Sequence, residues 1–264
     1  MSREERENLE DREDIVVVAV DGSPASQTAV RWAANTAMKR GIPLRLASSY
    51  TMPQFLYAEG MVPPQELFDD LQRETLKKID EARDIALEVA PDIKIGHAVA
   101  EGSPIDMLLE MSRSSTMVVM GSRGLGGLSG MVLGSVSGAV VSHASCPVVV
   151  VREDNNVTDA NKYGPVVVGV DGSEVSRRAV EYAFEEANAR KAELVAVHTW
   201  IDTQVQAPGA GFAVDDDHWS AVQKEKAEKL EEYLGTLREQ FPNVEVRTLI
   251  TRDLSLIHIS EPTR

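Results

Sequence analysis

The chain has 264 residues, long enough for two domains of ordinary size, and its 43% hydrophobic content suffices for real cores. Forty-two acidic against 27 basic residues give a formal charge of −15, spread over tail, helices and loops, which argues against nucleic acid as a partner. The single cysteine, Cys146, excludes an internal disulfide, and no Cys/His cluster has zinc spacing; both fit a reducing, cytoplasmic setting.

Residues 1–14 are charged and lack an apolar centre, so they read as a solvated acidic tail, neither signal peptide nor membrane anchor. Ile15 to Val20 is an unbroken apolar run, as in a central strand of a parallel sheet. Asp21-Gly22-Ser23-Pro24 follows at once, and Ser23-Pro24 has the form of a helix cap with proline in the first turn. Ala29, Val30, Ala33, Ala34 and Ala37 supply the apolar face of a helix that Gly41 stops. Leu44 to Ser49 is a second strand. A loop with Pro53, Pro63 and Pro64 leads into a long amphipathic helix over about 65–90, and a third strand follows over 93–100. Ser103-Pro104 caps the next helix, to about Ser114.

The most informative stretch runs from Met117 to Arg152. An apolar run, Met117 to Met120, precedes Gly121, Gly124, Gly126, Gly127 and Gly130, a density that lets a backbone bring several N–H groups close to a ligand. A helical segment over 131–141 starts near Gly134-Ser135, so its dipole and free N–H groups face that loop, and an anion fits there. A last strand, Val148 to Val151, closes the unit. No Lys follows these glycines as a Walker A loop requires, and Ser129 stands where a dinucleotide fingerprint from Gly124 and Gly126 needs glycine. The four-residue spacing of Gly126, Gly130, Gly134 and Gly138 also permits a plain packing role. A membrane helix is excluded, because Ser129, Ser135, Ser137 and Ser142 break up any sufficiently long apolar run.

Strands alternating with helices call for a doubly wound parallel sheet, with ligands at the carboxyl ends of its strands. Asp21 and Gly121 would both face that crevice. Asp21 has two readings: contact with a nucleoside or a bridging cation, or a cap for the helix behind it, a role already open to Ser23. Arg123 either reaches a phosphate or is one more exposed arginine. His97 and His143 have no nucleophile at a recognisable spacing, and Cys146, directly before Pro147, is expected to be a small buried residue.

The sequence then repeats. Asp21-Gly-Ser is echoed by Asp171-Gly172-Ser173, and the same offset pairs Ala29-Val30 with Ala179-Val180 and Ser48 with His198. A polar linker over 153–164 joins the copies. The second, 165–253, stops soon after its third strand at about Val244 to Ile250 and has no second glycine loop. Asp215, Asp216 and Asp217 before His218 read either as a metal site or as the acidic first turn of a helix over about 218–240. Leu254 to Arg264 do not continue the repeat; they resemble a translation of the transposase adapter used in sequencing libraries, and the authentic sequence is expected to end at Asp253.

Gly121-x2-Gly124-x9-Gly134-Ser135, with Ser137 two further on, resembles the ATP-binding signature of the universal stress protein family, and with the repeat the chain looks like a tandem member. The resemblance implies two doubly wound domains with parallel five-stranded sheets in the order 3-2-1-4-5, the second incomplete. It implies ATP as the ligand, with Mg2+ or Mn2+ bridging the phosphates, and contacts from Asp21, Ser49, Gly121, Arg123, Gly124, Gly134, Ser135, Val136 and Ser137. It also implies pairing through the strand over 148–151, here between two chains. No residue is placed as a base for water, so binding with at most slow hydrolysis is expected. Two rivals stand beside this reading. An adenylating ATP pyrophosphatase would need an S-G-G-x-D-S type loop after the first strand, where this chain has Asp21-Gly-Ser-Pro-Ala-Ser26; a partner-binding scaffold would need no nucleotide at all.

Overall fold

Valine-rich runs that must bury both faces set the architecture. In the computed structural model, which describes residues 13–52, 64–124, 133–152, 164–199 and 216–251, they form strands β1 (Glu13–Ala19), β2 (Leu44–Tyr50), β3 (Ile95–Glu101), β4 (Ser115–Gly121) and β5 (Val148–Val151). All neighbours are parallel, in the order β3-β2-β1-β4-β5, the order the resemblance implied. Val16, Val17 and Val18 of β1 are wholly buried, because β2 and β4 flank the strand and helices cover both faces.

Four helices do the covering. Helices α1 (Pro24–Arg40) and α2 (Gln65–Val89) lie on one face, α1 over β1 and β4 and α2 over β2 and β3. Helices α3 (Pro104–Ser112) and α4 (Ser135–His143) pack together on the other. The second face closes around Ile15, Val17, Ala47, Leu108, Val118, Met120 and Val140. Serine caps start α1 and α3 as their Ser-Pro pairs predict, the Ser23 and Ser103 side chains accepting from the N–H groups of Ser26 and Asp106. Gly41 ends α1 in the left-handed region, φ +67°.

Several boundaries differ from the sequence reading. β4 is longer than its apolar run because Ser115 pairs with Glu13 ahead of Met117 and Gly121 pairs with Val151 behind it. Helix α3 ends at Ser112, whose hydroxyl bonds the Leu109 carbonyl and accepts from the Ser145 N–H, tying the last turn to the segment before β5. Cys146, expected inside, is half-buried at the edge of the second-face core.

The chain divides into two units, Met1–Asn155 and Asn156–Arg264. The second repeats the start of the first: β6 (Val166–Gly169), α5 (Glu174–Arg190), β7 (Leu194–Thr199), α6 (Asp216–Gln240) and β8 (Val246–Thr251), in a smaller parallel sheet of order β6-β7-β8. Phe184, Leu194, Leu230 and Leu234 fill its core. Val17 is 0% exposed, but its repeat partner Val167 is 58% exposed: Val166, Val168 and Val170 pack into the core, and no described helix covers the opposite face of β6 as α3 and α4 cover that of β1. Helix α6 begins at Asp216, two residues before the expected start, so Asp216 and Asp217 lie in its first turn. Residues 1–12 of the expected tail, most of the linker, Gly126, Gly127, Ser129, Gly130, Asp215 and residues 254–264 lie outside the described residues, and the last two tail positions, Glu13 and Asp14, belong to β1.

Candidate functional site

The carboxyl ends of β1, β2 and β4 open into a cavity of about 650 Å³. Its lining includes all nine residues named from the sequence: Asp21, Ser49, Gly121, Arg123, Gly124, Gly134, Ser135, Val136 and Ser137. Sequence reasoning missed its apolar side, where Ala47, Met107, Leu108 and Met120 meet, and it missed Lys78 of α2.

The turn after β1 is a closed hydrogen-bond ring. Asp21 Oδ1 accepts from the Ser23 N–H at 2.9 Å and from the Ser23 hydroxyl at 2.7 Å. Ser23 Oγ then caps the Ser26 N–H, and the Asp21 N–H donates to Ser26 Oγ. Gly22 makes the turn possible at φ +84°. The second unit builds the same turn without a described glycine loop: the Ser173 N–H donates to Asp171 Oδ1 at 2.8 Å and Ser173 Oγ caps the Ser176 N–H. Those bonds from Ser173 and Ser176 hold the Asp171 carboxyl down at about 2, below its ordinary 3.8. One oxygen of this aspartate therefore organises a helix start in both units. The other oxygen of Asp21 faces Gly124, where an added Cβ would come within 2.5 Å of Oδ2.

The glycines differ in what demands them. A Cβ on Gly121 would strike the backbone of Ala25 at 2.8 Å, so α1 packing excludes a side chain there, ligand or none. A Cβ on Gly134 would meet its nearest atoms at 3.5–3.6 Å, an ordinary contact, and φ is −73°. Nothing among the described residues excludes a side chain at 134.

Gly134 is also the N-cap of α4, and it supplies no side-chain cap. Helices α1, α3 and α5 each have a serine there. The Gly134 N–H donates to the Ser122 carbonyl at 2.8 Å, which leaves the N–H groups of Ser135, Val136 and Ser137 ahead of the first intrahelical bond. Ser135 is exposed to the cavity. Ser137 is buried, and its hydroxyl lies 3.1 Å from both the Ser122 and Gly134 carbonyl oxygens, tying the helix start to the end of β4.

Charge around the cavity runs against the chain as a whole. Two cations, Lys78 and Arg123, and one carboxylate, Asp21, line it. No group of three or more His, Cys, Asp or Glu side chains among the described residues has a metal-binding arrangement.

The universal stress protein family model matches residues 13–152 and matches again at 162–254. The chain belongs to the universal stress protein family. Universal stress protein Rv2623 of Mycobacterium tuberculosis (strain H37Rv) is 35% identical over 249 residues, 90% of this chain and 79% of that one. Universal stress protein Rv2005c of the same strain is 36% identical over 244 residues, with the same coverage of 90% and 79%. A solved universal stress protein from Archaeoglobus fulgidus DSM 4304 superposes over 92% of this chain and 78% of its own with a TM-score of 0.64; at 19% identity it shares the fold. Among the described residues of this universal stress protein, no helix is long and apolar enough to cross a membrane.

Proposed function

We propose that residues 15–152 are an ATP-binding regulatory domain of the stress response, with at most slow hydrolysis. One observation carries the reading: α4 starts without a side-chain cap, at a glycine where an added Cβ would make only ordinary contacts with the described residues, and the first residues of the helix line the cavity. A cap would stabilise the helix by about 1 kcal/mol, and an anion in the same place would supply the missing acceptors. The phosphates then lie along Gly124, Gly134, Ser135, Val136 and Ser137 with Arg123 beside them, and the adenine takes the apolar side, within reach of the Ser49 backbone.

Among the described residues Asp21 is the one carboxylate lining the cavity, and Ser23 already engages one of its oxygens. This donor set fits Mg2+ or Mn2+ carried in on the phosphates, with Asp21 Oδ2 as one ligand, better than a resident metal. The pyrophosphatase alternative is weaker, because the groups after β1 that would grip pyrophosphate are bonded to one another. The outer side of β5, which pairs with no described strand and whose valines are all half-buried, supports a homodimer through Val148–Val151.

Gly134→Asp tests the nucleotide reading. The substitution caps α4 and sets a carboxylate where the phosphate would lie, so unfolding temperature is expected to hold or rise while calorimetric ATP binding disappears. Unchanged ATP affinity in the variant, or no heat from the wild type, overturns it.

A further inference from the structure

Lys78 and Lys77 sit side by side on α2, yet they differ in environment. The Lys77 side chain is 78% exposed and the Lys78 side chain 31%. The Lys78 stem folds back over the Asp21-Gly22 turn: its Cγ, Cδ and Cε lie 3.5, 3.6 and 3.8 Å from where a Gly22 Cβ would be. That places the stem on the cavity wall and the ammonium at its rim, where Nζ meets Glu74 Oε1 at 3.0 Å.

Taken alone, Lys78 and Glu74 form an ordinary i,i+4 pair on a solvated helix. Such a pair shifts an equilibrium by about fivefold at most, and the Glu74 side chain, 64% exposed, does nothing to shield it. The cavity changes the comparison. Gly22 adjoins Asp21, and Asp21 Oδ2 abuts Gly124, so the lysine stands one residue from the aspartate that borders Gly124 on the cavity wall. A polyphosphate seated there has more charge than one carboxylate and less water around it, so the flexible ammonium gains by turning inward.

We propose that Lys78 is a charge-reading residue of this site, one that exchanges Glu74 for the anionic tail of the bound nucleotide, so that Glu74 competes with the ligand for the same ammonium. This rests on the nucleotide reading above and deepens it: the site grades its ligands by phosphate charge from the α2 side as well as from the α4 helix start. Asp21 keeps its structural bonds to Ser23 throughout.

The test is calorimetry of the full chain with ATP, AMP and adenosine. Lys78→Met keeps the stem over Gly22 and removes only the charge. It is expected to weaken ATP about tenfold and AMP about threefold, and to leave adenosine unchanged. Lys78→Arg is expected to restore most of the ATP affinity. Glu74→Gln is expected to tighten ATP about two- to fivefold, because the competing carboxylate is gone. Equal weakening of ATP and adenosine by Lys78→Met would assign the lysine to packing alone and overturn the proposal. So would unchanged ATP affinity in both Lys78→Met and Glu74→Gln. A wild-type chain that binds neither ATP nor adenosine fails the nucleotide reading itself, an outcome distinct from either of these.

Discussion

A Cβ placed on Gly121 would lie 2.8 Å from the carbonyl carbon of Ala25 and 3.0 Å from its Cβ. The last residue of β4 thus touches the first turn of α1, and this contact holds the two edges of the cavity at a fixed separation. Gly121→Ala has to push that turn away. Destabilisation by about 1–3 kcal/mol is expected in chemical denaturation of the first unit, as for overpacking elsewhere. A variant as stable as the wild type would show that the turn yields freely.

Ser135 and Ser137 separate stability from binding within one helix turn. Ser137→Ala removes the hydroxyl that bonds the Ser122 and Gly134 carbonyls, while the Ser122 carbonyl keeps the Gly134 N–H. A loss of about 1 kcal/mol in stability is expected. Ser135→Ala, at an exposed position, is expected to leave stability within about 0.5 kcal/mol and to weaken ATP severalfold. Urea denaturation and calorimetry on the two variants check the pair, and the reverse pattern would exchange the roles assigned to them.

Much of this site can be read from the sequence because it depends on strand ends. Asp21 follows the β1 run and Gly121 ends the β4 run, so any sheet placing β1 beside β4 brings them together. That adjacency itself came from the family resemblance; apolar runs do not state their order. The role of the Ser137 hydroxyl was not legible, because its partner, the Ser122 carbonyl, is fifteen residues away across a loop that sequence periodicity does not describe. Lys78 was hidden for another reason. In a helix dense with charge, nothing local distinguishes it from Lys77; only the packing of α2 against the Gly22 turn does. Gly121 was legible as a position but its contact with Ala25 was not, since a density of glycines says that side chains are excluded without saying by what.

The homodimer proposed through β5 has a direct check. Val149 pairs with Val119 on the inner side of the strand, and no described strand lies on its outer side. Val149→Lys adds charge at that edge, the device by which natural sheets refuse partners. Wild-type mass by light scattering is expected to fall by half in the variant, with the thermal midpoint of the first unit measured alongside to separate dissociation from unfolding. Equal masses would remove β5 from the interface.

Asp171 gives the second unit a pH dependence whose sign follows from its hydrogen bonds. The Ser173 hydroxyl and N–H, with Ser176, favour the carboxylate and bring its pKa from 3.8 to about 2 in the folded unit. A lowered folded value means that the unfolded chain takes up the proton first as pH falls. The stabilisation is therefore complete above about 4 and is lost as pH drops through about 2. Asp171→Asn keeps an oxygen to accept from the Ser173 N–H but cannot titrate, so the second unit of the variant should lose this part of its acid sensitivity. NMR titration of the side-chain carboxyl carbon should place the wild-type midpoint near 2, and hydrogen-exchange protection of β6 amides should fall less steeply between pH 4 and pH 2 in the variant. A midpoint at the ordinary carboxylate value would mean that the Asp171 turn is open in solution, and the structural role assigned to Asp21 by its repeat partner would lose its support.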